Sequence, residues 1–144
     1  MALLNYTTSI AAEKTVGEMQ AMLAKAKASA VLSEYSNGII SALSFQVQSP
    51  SGVLSFRLPC DVQKVYQVIV RDRKLPARLR TKEQAARISW RILKDWLEAQ
   101  LALINVGMVD MQQVFLPYMQ TANGKTIYER LADQNFQLAL SDRA

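Results

Sequence analysis

The sequence predicts one α+β domain over residues 1–144: a three- or four-stranded antiparallel meander packed against helices, with a long central helix at about 82–105. Three observations carry this. Between residues 29 and 59 apolar side chains alternate with a period of two, punctuated by Asn37-Gly38 and Ser49-Pro50-Ser51-Gly52. Elsewhere they recur at spacings of three and four, most persistently over 82–105. Finally, 144 residues that are 50% hydrophobic, with 5 glycines and 4 prolines, are enough for one core and too apolar for disorder.

Taken in order, residues 3–10 alternate weakly, with Tyr6, Thr8 and Ile10 on one side, and are expected to form a short strand. Thr15-Val16-Gly17-Glu18 has the form of a capping box, followed by Val16, Met19, Leu23 and Ala26 on one face of a helix over 16–27. The meander comes next. Its strands are residues 30–35, then a strand whose inward parity is Ile39, Ser41, Leu43, Phe45 and Val47, then one with Leu54, Phe56 and Leu58 inward. Asn37-Gly38 is a hairpin signal because both turn positions need positive φ, and Pro59 stops the last strand.

Asp61 caps a helix over about 62–72, with Val62, Val65, Tyr66 and Ile69 inward. Pro76 breaks the basic connector that follows. Thr81-Lys82-Glu83-Gln84 is a second capping box and opens the long helix. Two adjacent apolar stripes run along that helix, one through Ala85, Ile88, Ile92, Trp96, Ala99 and Leu103, the other through Ala86, Trp90, Leu93, Leu97, Leu101 and Ile104. A double stripe implies burial on two sides, leaving Arg87, Arg91, Lys94 and Glu98 as the exposed edge, with Gly107 ending the helix. Asp110 starts a short helix closed by Pro117, and Thr126-Ile127-Tyr128-Glu129 is a third capping box. Residues 1–2 and 134–144 are expected to fray.

The absences bound the chemistry. With no histidine and the single Cys60, the Ser-His-Asp and Cys-His triads and an intrachain structural zinc site are out of reach. The acids form no D-x-D or E-x-x-D cluster, so no metal or cofactor is expected. Asn123-Gly124-Lys125-Thr126 ends like a phosphate-binding loop, but Met119 stands where the upstream glycine belongs, and a turn before a helix cap is expected instead. The lone cysteine, the absence of a signal-like N-terminus and the lack of a membrane-length apolar run lead to the expectation of a cytoplasmic protein without a membrane partner.

Charge is the informative feature. Of a net +5, residues 71–94 hold nine bases against Asp72 and Glu83, a local +7, so the remainder sums to −2. Like charges held together repel, and a polyanion relieves that repulsion. The residues expected to meet nucleic-acid phosphate, or an acidic partner surface, are Arg71, Arg73, Lys74, Arg78, Arg80 and Lys82, with Arg87 and Arg91 extending the strip. Tyr35 and Tyr66 are candidate stacking rings, whereas Trp90, Trp96, Phe45 and Phe56 lie on apolar stripes and belong in the core.

Phe56-Arg57-Leu58-Pro59, the run from Arg80 to Gln100, and Phe115-Leu116-Pro117-Tyr118-Met119 resemble small proteins encoded by bacteriophages and integrated mobile elements, over about residues 3–131. That group has no established activity, so the resemblance transfers no catalytic residue. It implies action inside the bacterial host cell, on nucleic acid in replication or recombination or on a host defence complex, as anti-CRISPR proteins act. Two functions follow as expectations. One is non-catalytic nucleic-acid binding through 71–94. The other is inhibition of a host protein complex, with Met108, Met111, Phe115 and Met119 as an apolar anchor. Homodimerisation through an edge strand or the broad helix is left open.

Overall fold

The computed structural model describes residues 2–140. The elements are α1 (Ala12–Lys25), β1 (Ala30–Ser36), β2 (Ile39–Ser49), β3 (Gly52–Arg57), α2 (Val62–Arg71), α3 (Lys82–Asn105), α4 (Met111–Phe115), α5 (Ile127–Asp133) and α6 (Gln137–Leu140), with 3-10 turns at Ala77–Leu79 and Leu116–Tyr118. The fold is α+β, with one antiparallel sheet in the order β1-β2-β3.

The meander forms for the reasons its turns imply. Asn37 and Gly38 both take positive φ, 52° and 78°, as the two-residue hairpin requires. Phe45 then sits opposite Phe56, and Val47 opposite Leu54. A bulge lies between β1 and β2: Glu34 faces Ala42 while Tyr35 faces Ile40, so Ser41 is an additional residue whose hydroxyl donates to the Glu34 carbonyl at 3.3 Å. That insertion shifts the parity at the start of β2. Ile40 is buried in the core cluster where Ile39 and Ser41, both half-buried, were expected, whereas Leu43, Phe45 and Val47 point inward as the alternation predicts. The far edge of β3 is covered by Met119, which bridges Phe56, and by Gln120, whose amide donates to the Ser55 carbonyl at 2.8 Å.

The N-terminal strand expected at 3–10 is a turn. Tyr6 and Thr8 amides donate to the Leu3 and Asn5 carbonyls at 3.1 Å, and Asn5 has a φ of 65°. The carboxamide of Gln84 donates to the Tyr6 and Thr8 carbonyls at 3.0 and 2.9 Å, supplying the donors that a neighbouring strand would have supplied. The first capping box is also absent. α1 starts at Ala12, so Thr15 lies inside the helix, fully buried, and Glu18 faces α3 rather than an N-terminal amide.

α3 organises the core. The stripe through Ala86 and Trp90 serves the main cluster, whereas the other serves a second cluster only through Ala85, Ile88 and Ile92. Trp96 packs in the main cluster, and Ala99 and Leu103, expected to be buried, are exposed. Ala86, Trp90, Leu93 and Leu97 pack with α1, the inner sheet face and Phe115. Ala85 and Ile88 pack with Ile69 and Leu75, joined by Leu3 and Tyr6. The Trp90 indole donates to the buried Ile40 carbonyl at 3.3 Å, tying α3 to the sheet. Trp96, half-buried, stands edge-on to Phe115 and Tyr118, with centroids 5.8 and 5.6 Å away. The helix ends in a Schellman motif, in which Gly107 at φ 83° donates to Ile104 and Met108 donates to Leu103. Asp61, Thr81, Asp110 and Thr126 all cap their helices, and Thr126 with Glu129 forms a complete capping box. The box expected at Thr81–Gln84 is half formed, because the Gln84 side chain turns to the Tyr6 and Thr8 carbonyls instead of back to Thr81. In the frayed tail expected over 134–144, residues 137–140 are helical, and 141–144 lie outside the described residues, as does Met1.

Candidate nucleic-acid interface

The basic connector is pinned at two points. α2 stops at Arg71 because Asp72 leaves the helical region, with φ −85° and ψ 97°. The Asp72 carboxylate then accepts the Lys74 amide at 3.0 Å, and its carbonyl accepts the Leu75 amide at 3.1 Å. Pro76 opens the 3-10 turn over Ala77–Leu79. Leu75 and Leu79 are buried, and Leu75 enters the cluster of Ile69, Ala85 and Ile88. With those apolar side chains turned inward, the basic ones between and around them turn out.

Arg71, Arg73, Lys74, Arg78 and Lys82 are exposed, and Arg80 is half-buried. Among the described residues none of the six pairs with a carboxylate. Over 71–82 the only acid is Asp72, so this stretch carries a net +5.

The second half of the expected strip behaves differently, and the exposed edge expected along α3 is largely turned inward. The Arg87 guanidinium donates to the Gln84 carboxamide oxygen at 3.1 Å. Arg91 donates to the Glu18 carboxylate at 3.0 Å and meets the Thr15 hydroxyl at 3.5 Å. Lys94 lies 3.8 Å from Glu18 and 3.6 Å from Glu98. The Arg91 and Lys94 side chains are only 17% and 15% exposed, so they join α1 to α3 and offer little to a ligand. The Thr15–Glu18 spacing suited a helix cap equally well, and nothing local to either helix signals the crossing.

Two depressions receive connector cations. Lys82 lies over the Tyr66 ring, 5.7 Å from its centroid, beside a groove of about 280 Å³ that also reaches Ser36, Ser41 and Cys60. Burial, aided by Asp61 and opposed by Arg57, pushes the Cys60 thiol up to about 12, so it is a protonated wall of that groove at neutral pH. The larger depression, about 630 Å³, lies between the N-terminal turn and the connector, lined by Tyr6, Thr7, Asp72, Lys74, Pro76 and Arg78. Tyr6 is the aromatic neighbour of the basic residues that sequence reading missed. The chain brings it there only because residues 3–8 turn back over Gln84. Tyr35 is exposed on β1, outside both linings except through its neighbour Ser36.

The loop at Asn123-Gly124 is the turn its residues imply: Gly124 has a φ of 85°, and Lys125 pairs with Asp133 at 2.6 Å. Of the expected apolar anchor, Met108 is 72% exposed, Met111 and Met119 are half-buried, and Phe115 is wholly buried. Among the described residues no three His, Cys, Asp or Glu side chains gather as a metal site, and no helix is long and apolar enough to cross a membrane. No family model, curated protein or solved structure matches the chain.

Proposed function

We propose that the protein binds nucleic acid, without catalysing a reaction on it, through phosphate contacts from Arg71, Arg73, Lys74, Arg78, Arg80 and Lys82, in the replication, recombination or anti-defence of a mobile element. The observation that carries this is that Arg71, Arg73, Lys74, Arg78 and Lys82 are exposed, and that neither they nor the half-buried Arg80 pair with a carboxylate among the described residues, on a chain whose residues outside 71–94 sum to −2. The protein has carboxylates to spare for ion pairs, and it places them at Arg57, Arg91, Lys94 and Lys125 instead. Cations held apart from their own acids keep their attraction for an external polyanion. Phosphate contacts of this kind position a strand without reading its bases, so sequence preference is low. Each contact contributes about 0.7 to the salt dependence on a single strand and about 0.9 on duplex DNA. Anisotropy titrations of labelled DNA and RNA, single-stranded and duplex, between about 50 and 200 mM salt test it. Affinity that falls steeply with salt supports the reading. No binding at the low end, or binding indifferent to salt, ends it.

A second reading is inhibition of a host protein complex, with the connector docked on an acidic surface. The exposure of Val106 and Met108, 65% and 72%, at the end of α3 favours it. Capture from bacterial lysate with and without nuclease separates the two. A protein partner that survives nuclease supports the second reading, and a catch lost with nuclease supports the first.

A further inference from the structure

We infer that the depression between the N-terminal turn and the connector holds one unpaired nucleotide of a bound strand, its base against Tyr6 and its flanking phosphates on Lys74 and Arg78. The inference rests on the nucleic-acid reading above and adds a preference for single strands.

Size is the first observation. At about 630 Å³ the depression falls within the roughly 300–1,000 Å³ range of small-molecule sites. The Lys82–Tyr66 groove, at about 280 Å³, falls below it.

The second is the setting of Tyr6. Its carbonyl is held by Gln84, and its side chain packs against the cluster of Ile69, Leu75, Ala85 and Ile88 while lining the depression. The ring is thus placed before any ligand arrives, which lowers the ordering cost of stacking a base on it. Stacking is sequence-tolerant because every base has a π face. A duplex keeps its bases stacked on one another, so only an unpaired base has a face to offer.

The third is the charge around that ring. Lys74 and Arg78 line the same depression, and neither has a carboxylate partner among the described residues. Asp72 is the one acid in the lining, and one of its oxygens is engaged by the Lys74 amide. Two cations and one acid suit the spaced phosphates of a strand better than the concentrated charge of a free nucleoside triphosphate. The acid also offers an acceptor to a base amino group or a sugar hydroxyl.

The test compares a single strand with a blunt duplex of the same length, at matched salt, for the wild type, Tyr6→Phe and Tyr6→Leu. The wild type and Tyr6→Phe favour the single strand. Tyr6→Leu keeps apolar packing but lacks a π face, so single-strand affinity drops about tenfold while duplex affinity and the salt slope stay put. Equal single-strand and duplex affinity in the wild type, or an equal loss on both in Tyr6→Leu, overturns the inference while the salt-dependent binding itself still stands. Failure of the wild type to bind either strand overturns the connector reading and this inference together. Ultraviolet cross-linking of the wild type to the single strand removes any dependence on how well Tyr6→Leu folds. A cross-link mapped to the peptide carrying Tyr6 supports the site, and cross-links confined to other segments refute it.

Discussion

Replacing Glu18 with alanine probes the division of the basic residues into a structural half and a free half. Glu18 takes a hydrogen bond from Arg91 at 3.0 Å and lies 3.8 Å from Lys94, and those two side chains are 17% and 15% exposed. Without Glu18, Lys94 keeps Glu98 at 3.6 Å, but Arg91 keeps only the Thr15 hydroxyl at 3.5 Å. The cost therefore falls on Arg91. Exposed pairs contribute about 0–1 kcal/mol, whereas removing one partner of a buried pair costs about 3–5 kcal/mol. A site with this degree of burial lies between, so the loss is about 2 kcal/mol, or roughly 4–8 °C in Tm for a domain of this size. The same change releases Arg91 toward solvent and raises the net charge by one. A released guanidinium that reaches the bound strand adds one phosphate contact, making the single-strand salt slope steeper by about 0.7. Thermal unfolding by circular dichroism and an anisotropy salt series read the two effects. A variant as stable as the wild type refutes the structural assignment of Arg91, and a shallower salt slope refutes the link between free cations and binding.

Three further outcomes are expected. Trp90→Phe removes the donor to the Ile40 carbonyl inside the main core, so the urea midpoint falls by the equivalent of about 1–3 kcal/mol with the m-value unchanged, and an unmoved midpoint contradicts that bond's role. Cys60, half-buried and with its thiol raised to about 12, resists alkylation in the folded protein at about pH 8 and reacts on unfolding, so fast labelling of the folded form contradicts the raised thiol. Hydrogen bonds from the Thr126 amide and hydroxyl hold the Glu129 carboxyl below its ordinary value of 4.5, so the capping contribution is present above that value and is lost as pH falls through the depressed one. In an NMR titration Thr126→Val moves the Glu129 midpoint upward, and a midpoint that stays where it was shows the hydroxyl to be idle.

The parts of the fold that were legible in the sequence are those governed by local chemistry. Asn37-Gly38, Pro59, Asp61, Thr81, Gly107 and Thr126 each act on backbone within a few residues, and each does in the structure what its side chain or freedom of φ requires. The first half of the double stripe of α3 was legible for the same reason, since period alone places Ala86-Trp90-Leu93-Leu97 and Ala85-Ile88 on separate faces, but period does not show that Ala99 and Leu103 are left exposed. The errors arose where distant residues decide. Residues 3–8 turn because Gln84 binds their carbonyls, a contact across more than seventy positions. Thr15 and Glu18 look like a cap until Arg91 is seen opposite them. The Ser41 bulge depends on pairing with Glu34 and Tyr35, which alternation within β2 does not encode. The candidate interface divides likewise. Arg71 to Lys82 stand outward because Leu75 and Leu79 anchor the connector locally, whereas the withdrawal of Arg91 and Lys94 and the arrival of Tyr6 are tertiary events.

The most direct test of the central claim is the salt slope of the variant carrying Arg71→Ala, Arg73→Ala, Lys74→Ala and Arg78→Ala together. These four side chains are exposed and pair with no carboxylate among the described residues, so the variant keeps the stability of the wild type within about 0.5 kcal/mol per site. On a single strand, losing four phosphate contacts makes the log–log slope shallower by about 3, with a matching collapse of affinity at low salt. A folded variant that binds with the wild-type slope contradicts the account.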